Sequence, residues 1–424
     1  MAAAADTKRS PASRAAAIDS RVDGDADVST DAAAASSDPK PLPRPQAPLT
    51  RAEVLLRAVF GALLLYLFLV GIGGLSDGFK GLGKHALDSV FSATENPAVG
   101  LTIGILATTL VQSSSVTTSM VVALVAAPNS PLPLANAIPI IMGANIGTTV
   151  TNTLVSLGHA GRKDEFRRAF AAATCHDFFN FMVVFVLLPL ELATGYLEKV
   201  SGLLAGWLQG GGGAKPPNPL KKAVHFGLQP LHDGIDSLIG SPKGAAVALL
   251  VVSAVLIFVS LFLLVKTLRS LTGTRLQTYI ARALDTNAYV GIIVGVIVTV
   301  MVQSSSITTS VMVPLAGAGI VTVRQVFPVT LGANIGTTIT ALLASMALPP
   351  ETAQLGIQIG LVHLLFNLTG LLMVYPLRFT REIPVRAAEK LANLAVRSRP
   401  LAFAYVVVLF YGLPAGLIWV TRGF

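Results

Sequence analysis

Apolar residues fill most of this chain in long runs, separated by short basic loops. The first run, 54–73, has about the 20 residues that a membrane-crossing helix requires, and Gly71, Gly73 and Gly74 close it. The pattern then changes. From Asn96 to His159 there is no Asp, Glu, Lys or Arg, yet the stretch is broken up by Ser/Thr clusters, by Pro128, Pro131, Pro133 and Pro139, and by Gly143 and Gly147. Such a segment predicts membrane-embedded helices that are interrupted. Irregular backbone at membrane depth is tolerated where it faces protein or a water-filled cavity. A further apolar stretch runs to Leu190, and others cover 244–265, 355–377 and 401–420. The uncharged, punctuated pattern returns from Thr286 to Val323 and, after Arg324, continues to Pro350.

These elements predict an all-α polytopic membrane protein. Residues 1–50, rich in Ala, Asp, Ser and Pro with no apolar period, read as a disordered tail. The first transmembrane repeat is expected over 51–193, a Gly- and Pro-rich connection over 194–243, the second repeat over 244–400 and a C-terminal transmembrane helix over 401–424. The connection has room for a short amphipathic helix.

Composition narrows the class. Hydrophobic residues make up 53% of the chain and charged residues 12%, against about 25% charged in a typical soluble domain. The mean hydropathy of +0.68 excludes an ordinary soluble enzyme and a disordered chain. The net charge of +9 does not indicate nucleic acid, because the tail is nearly neutral and the surplus sits in short loops between apolar stretches. A single cysteine, Cys175, permits no intramolecular disulfide.

The two halves repeat. Gln112-Ser113-Ser114-Ser115 recurs as Gln303-Ser304-Ser305-Ser306, offset by 191 residues. Gly143-Ala144-Asn145-Ile146-Gly147-Thr148-Thr149 recurs as Gly332-Ala333-Asn334-Ile335-Gly336-Thr337-Thr338, offset by 189. His176 and Asn180 recur as His363 and Asn367, offset by 187. The basic loop 161–168 follows the first Gly-Ala-Asn motif, whereas the segment after the second, 346–354, has no Lys or Arg. Basic loops stay on the cytoplasmic side, so equivalent points lie on opposite faces and the repeats are inverted. Inverted repeats with interrupted helices hold their cargo near the midplane.

The motifs carry the chemistry. Gln followed by three Ser in apolar surroundings is rich in donors and acceptors, and these are costly to bury without partners. A helix break there presents N–H groups to an anion at one half-helix start, and hydroxyl, amide and carbonyl oxygens to a small hard cation such as Na⁺. Helix-to-helix hydrogen bonding is the alternative for one such cluster, and tight small-residue packing is the alternative for the Gly-Ala-Asn motif, where Gly143 and Gly147 otherwise open the backbone. His176 and Asp177 are adjacent, point to different faces and form no catalytic dyad. His176 and His363 are expected to be packing or interface residues. Asn180 and Asn367, one turn on, are expected to bond to the interrupted segments.

These residues resemble the type II sodium–phosphate cotransporter family. The doubled Gln-Ser-Ser-Ser carries the resemblance, together with the run Ile138–Thr153, the run Glu165–Phe170 leading into His176–Asn180, and the run from Gly332 through Asn367 to Tyr375-Pro376. The resemblance covers roughly residues 52–420. It implies a symporter, not an enzyme, that imports inorganic phosphate with Na⁺ as the co-transported ion by alternating access.

By position, phosphate is expected at Gln112, Ser113, Ser114, Ser115, Gln303, Ser304, Ser305, Ser306, Asn145 and Asn334. Na⁺ is expected among Gln112, Asn145, Thr148, Thr149, Gln303, Ser306, Asn334, Thr337 and Thr338, with His176, Asn180, His363 and Asn367 in support. A sodium symporter of another anion, such as sulfate or a carboxylate, and a non-transporting phosphate-binding regulator are the alternatives. Membrane lipid is a partner and nucleic acid is not. The protein is expected in the plasma (inner) membrane, with the N-terminus cytoplasmic and the C-terminus outside.

Overall fold

The computed structural model describes residues 50–82, 92–127, 132–209, 219–272, 287–348 and 350–422. The N-terminal tail expected over 1–50 therefore lies, apart from Thr50, outside the described residues. The described chain is helical, with no strand among those residues. Seven helical stretches among them are long and apolar enough to cross a membrane: Arg51–Leu82, Leu134–Leu157, Lys163–Thr194, Pro242–Leu268, Val323–Ser345, Thr352–Val374 and Arg399–Thr421.

The element order repeats as the motifs do. The first half contains α1 (Arg51–Leu82), α2 (Pro97–Val111), α3 (Ser114–Val125), α4 (Leu134–Thr148), α5 (Val150–Leu157), α6 (Lys163–Thr194) and α7 (Tyr196–Gln209). After α8 (Pro219–Leu238) the second half contains α9 (Pro242–Thr272), α10 (Ala288–Val302), α11 (Ser305–Gly317), α12 (Val323–Ser345), α13 (Pro350–Val374) and α14 (Arg378–Arg397). A last crossing follows as α15 (Arg399–Val407), a π-helical turn (Val408–Gly412) and α16 (Leu413–Arg422). Among its described residues the segment 194–243, expected as a connecting loop, thus holds two helices, α7 and α8. One of them, α7, occupies the place that α14 takes in the second half.

The helices that open the two halves run in opposite directions. A methyl group on Gly71 of α1 would meet Ile257, on Gly74 Ser253, on Gly78 Leu250 and on Gly81 Ala246. At the other end Arg57 Nη1 donates to the Ser270 carbonyl at 2.9 Å. Position numbers fall along α9 as they rise along α1, so equivalent helices are antiparallel, the relation an inverted repeat requires.

Within each half, by contrast, α2 and α4 run parallel and touch backbone to backbone. A Cβ on Gly104 would overlap the Ile140 carbonyl, and one on Gly143 would overlap the Leu101 carbonyl. Gly295 and Gly332 bring α10 and α12 together in the same way, against the Val329 and Ile292 carbonyls. Small residues allow this approach where apolar solvent gives helices no hydrophobic reason to associate.

Several basic loops gather at one end. Arg168, at the start of α6, donates from Nε (2.9 Å) and Nη2 (2.6 Å) to the carbonyl of Gly317, the last residue of α11. A cation there complements the negative end of the helix. Arg324, at the start of α12, donates to Glu382 and Glu389 on α14. The loop 161–168, the turn before α12 and the basic helix α14 therefore share one side.

Candidate functional site

Each Gln-Ser-Ser-Ser motif is the tip of a helical hairpin. Gln112 (φ 58°, ψ 25°) ends α2 and Gln303 (φ 55°, ψ 27°) ends α10, both in the left-handed region. They are the only non-glycine residues with positive φ among those described, a conformation that costs a side-chain-bearing residue roughly 1–2 kcal/mol. Ser113 and Ser304 then extend the chain (φ −153° in both) and cap the next helix, their Oγ atoms accepting from Val116 N and Ile307 N at 3.3 Å. Ser is among the favoured residues for that position because its oxygen satisfies a first-turn N–H. The limbs are short. Helix α2 has 15 residues, or about 22 Å at 1.5 Å per residue, so the tip falls inside a hydrocarbon core about 30 Å thick.

The glutamine amides are held on both sides. Gln112 Nε2 donates to the Thr109 carbonyl and Gln303 Nε2 to the Val300 carbonyl (2.7 Å). Thr151 Oγ1 donates to Gln112 Oε1 at 2.9 Å, and Thr340 Oγ1 to Gln303 Oε1 at 2.8 Å. Thr151 and Thr340 each lie two residues past their Gly-Ala-Asn motif, and the sequence reading missed both, although aligning the repeats two positions further pairs them.

Thr340 also joins the halves. Ser115 Oγ lies 3.5 Å from Thr340 Oγ1, so residues of both Gln-Ser-Ser-Ser motifs meet on one hydroxyl. On the other flank Thr309 and Ser310 donate to Asn152 Oδ1 at 2.9 and 3.0 Å. Asn152 has Ala341 as its counterpart, so this contact has no symmetric equivalent. Ser114, Ser115 and Ser305 are buried, Ser113, Gln303, Ser304 and Ser306 half-buried, and Gln112 exposed.

A second set of contacts crosses between the halves at the Gly-Ala-Asn motifs. His176 Nε2 lies 2.7 Å from Asn334 Oδ1, and Asn334 Nδ2 donates to Asn180 Oδ1 at 3.1 Å. Reciprocally, His363 Nε2 lies 3.3 Å from Asn145 Oδ1, and Asn367 Nδ2 donates to the same oxygen at 3.2 Å. Because Asn334 gives its N–H₂ to Asn180, its oxygen faces the imidazole, and His176 donates from Nε2. All six side chains are buried. His176, Asn180, His363 and Asn367 therefore all lie at the contact between the halves, and Asn180 and Asn367 bond to residues inside continuous helices, not to interrupted segments.

One expectation is corrected. The Gly-Ala-Asn motifs do not open the backbone. Asn334 and its glycines lie within the unbroken α12. Asn145, Gly143 and Gly147 lie within α4, which passes into α5 through Thr149. The glycines serve close packing, because the backbone N–H and C=O groups in this apolar setting are better paired within a helix than left open. The motif threonines bond back to their own helices: Thr148 to Ala144 O (2.9 Å), Thr149 to Ile146 O (2.8 Å), Thr337 to Ala333 O (2.8 Å) and Thr338 to Ile335 O (2.7 Å). Each hydroxyl spends its proton on a carbonyl and keeps its lone pairs, as an oxygen ligand of a hard cation must.

Asp177, which forms no dyad with the adjacent His176, carries no further signal in the sequence. It is 0% exposed. Its Oδ2 accepts from Tyr405 Oη at 2.8 Å and from Thr153 Oγ1 at 3.5 Å, while Oδ1 has no hydrogen-bond partner among the described residues. A buried carboxylate inside a membrane protein is costly, which makes Asp177 a candidate functional group. Among the described residues no three His, Cys, Asp or Glu side chains converge as a metal cluster would. The available donors are hydroxyl, amide and carboxylate oxygens, which suit hard cations.

Comparison with known proteins adds the family. The chain matches the family described as Na⁺/Pi-cotransporter over residues 67–199 and 256–381, one segment in each half. It is similar to sodium-dependent phosphate transport protein 2A of Rattus norvegicus, 37% identical over 89% of this chain and 69% of that protein. It is also similar to sodium-dependent phosphate transport protein 2B of Homo sapiens, 34% identical over 82% of this chain and 63% of that protein. No solved structure matches.

Proposed function

The chain belongs to the Na⁺/Pi-cotransporter family, and from that premise we propose how its geometry couples the two ions. The protein is an integral membrane symporter that carries inorganic phosphate with sodium, and it is not an enzyme. The observation that carries the site assignment is the meeting of Ser115, Thr340 and Gln303, which brings both hairpin tips to one place.

Phosphate binds between the tips. The starts of α3 and α11 present first-turn N–H groups that have no acceptor within their own helices, and the positive ends of both helix dipoles favour an anion. Gln112, Ser113, Ser114, Ser115, Gln303, Ser304, Ser305 and Ser306 line that space. Asn145 and Asn334, committed to the histidine and asparagine contacts, position α4 and α12 behind it.

Sodium binds among the oxygens of Thr148, Thr149, Thr337, Thr338 and Ser306 and at the Asp177 carboxylate. No Lys or Arg lies in 96–159 or 286–323, so bound Na⁺ supplies the positive charge that phosphate needs inside the membrane. Phosphate binding thereby depends on sodium, which is the basis of symport. Reciprocal contacts between the halves are what a two-fold relation generates. Rocking one half against the other exchanges the two access routes, with 51–193 and 244–400 as the moving units.

With the shared basic end cytoplasmic, α1 leaves the cytoplasm, α9 returns to it, and α16 ends outside. The N-terminus is then cytoplasmic and the protein resides in the plasma membrane. The test is labelled phosphate uptake into proteoliposomes under an inward Na⁺ gradient or an equal K⁺ gradient. Accumulation above equilibrium with Na⁺ alone is expected. Equal uptake under both gradients, or sulfate displacing phosphate at equal concentration, overturns the reading.

A further inference from the structure

At the basic end of the molecule, away from both hairpin tips, lies a cavity of about 550 Å³ lined by Arg324, Arg378, Phe379, Glu382, Ile383 and Arg386. We propose that it is a binding site for the phosphate headgroup of an anionic phospholipid of the cytoplasmic leaflet, with Arg378 and Arg386 as the headgroup ligands.

Three features converge. The first is charge. Three guanidinium groups face one carboxylate, and that carboxylate is already engaged: Arg324 grips Glu382 with two hydrogen bonds, at 3.1 and 2.9 Å. These bonds hold the Glu382 carboxyl below the usual carboxylate range, so it is ionised at neutral pH, and with Glu389 also paired to Arg324 the three guanidinium groups keep a surplus of one positive charge. Arg324 also binds Glu389 at 3.1 Å. Arg386 reaches Glu382 only at 3.6 Å with its side chain 70% exposed, and Arg378 has no carboxylate within 4.0 Å among the described residues. Arg381, the nearby fourth guanidinium, stacks over Tyr375 at 5.7 Å.

The second feature is the apolar wall. Phe379 is 80% exposed and Ile383 42% exposed, and neighbouring Leu377 is 62% exposed. Free phosphate has no use for that wall, whereas an acyl chain does. Guanidinium groups beside exposed apolar side chains are the pairing an amphiphile requires.

The third is depth. Helix α14 contains Arg378, Arg381, Glu382, Arg386, Glu389, Lys390 and Arg397, and so cannot cross the hydrocarbon core. It joins two stretches that can, Thr352–Val374 and Arg399–Thr421, so it lies along the membrane surface where headgroups are found. Basic pockets at that level take anionic headgroups. The site also adjoins the start of α12, the helix that carries Asn334 and Thr340. Arg324 ties that helix to α14 through Glu382 and Glu389, and a headgroup that draws Arg386 off Glu382 leaves this carboxylate to Arg324 alone.

The inference uses the cytoplasmic placement of this end argued above, and binding is therefore read separately from transport. The full chain is reconstituted in phosphatidylcholine vesicles, with or without phosphatidylglycerol as one lipid in five. Arg378→Gln with Arg386→Gln is compared with the native chain and with the charge-keeping pair Arg378→Lys and Arg386→Lys. Native mass spectrometry of the same proteins reads retained phosphatidylglycerol, with inorganic phosphate as a competitor.

The expected result is an at least twofold rise in sodium-driven uptake with phosphatidylglycerol in the native chain and no rise in the glutamine pair, whose uptake in phosphatidylcholine alone is unchanged. Lipid affinity falls about fivefold per arginine removed, and the lysine pair keeps most of it. Undiminished phosphatidylglycerol retention in the glutamine pair overturns the proposal. So does displacement of the lipid by millimolar inorganic phosphate, which identifies the cavity as a free-phosphate site. Failure of the symport reading leaves the retention measurement intact, so the two fail separately.

Discussion

His176 Nε2 stands 2.7 Å from Asn334 Oδ1, although the two residues belong to opposite halves of the chain, and His363 repeats the contact with Asn145 at 3.3 Å. The histidine of each half thus serves the asparagine of the other. Both pairs are buried, and removing one partner strands the other in an apolar setting.

His176→Ala is therefore expected to destabilise the protein by about 1–3 kcal/mol, the cost of a buried polar group left unsatisfied. His363→Ala is expected to cost less, because Asn145 Oδ1 also accepts from Asn367. Thermal unfolding in detergent orders the two. A His363 variant less stable than the His176 variant contradicts the assignment, as does strict additivity of His176→Ala with Asn334→Ala, since partners in one bond must couple.

Thr340 is the second link between the halves, donating to Gln303 and lying 3.5 Å from Ser115. Thr340→Val keeps the shape and removes the hydroxyl. It is expected to lower sodium-driven phosphate uptake at least tenfold, with surface expression retained, whereas Thr151→Val, which loses one bond to Gln112, lowers it less. Gln112→Ala and Gln303→Ala each abolish coupled uptake without loss of folded protein. Normal transport by both alanine variants removes the hairpin tips from the site.

Much of this architecture is legible in the sequence because it is written twice. The repeated Gln-Ser-Ser-Ser marks the interruption, since Ser is a favoured helix cap, and loop charge alone indicates the antiparallel relation that Gly71–Ile257 and Gly78–Leu250 show in space. What the sequence conceals is tertiary. Glycine marks an opened backbone and a close helix crossing with the same letter, and only the positions of the Leu101 and Ile292 carbonyls decide for Gly143 and Gly332. Asp177 looks inert beside His176 until Tyr405, 228 residues away, is found on its carboxylate.

The packing role of those glycines has its own test. A methyl at Gly143 or Gly332 overlaps a backbone carbonyl that cannot rotate away. Gly143→Ala and Gly332→Ala are each expected to cost about 1–3 kcal/mol by overpacking, seen as reduced folded yield and a lower unfolding temperature. Gly161→Ala is the control, because nothing lies within 4 Å of its added methyl. If the control loses as much stability as the two motif variants, close approach is not the reason for these glycines.

The Asp177–Tyr405 bond bears on how sodium is recognised. Tyr405 lies in α15, outside both repeats, three residues before the π-helical turn at Val408–Gly412, an irregularity that occurs often at functional sites. Its hydroxyl occupies Oδ2 at 2.8 Å while Oδ1 has no partner among the described residues. With Asp177 as a sodium ligand, Asp177→Asn removes the charge with little change of shape and is expected to raise the sodium concentration for half-maximal uptake at least tenfold, or to make the sodium dependence less steep. Tyr405→Phe removes one donor from the carboxylate and is expected to shift sodium activation by a smaller factor, leaving the phosphate KM at saturating sodium unchanged. In the Asp177→Asn background the Tyr405→Phe shift should vanish, because the tyrosine then has no carboxylate through which to act. An unaltered sodium dependence in Asp177→Asn removes this residue from the sodium path. A Tyr405→Phe shift that survives in that background assigns the tyrosine a separate role in packing α15 against Phe170 and Phe410, the rings it meets edge-on at 6.3 and 6.2 Å.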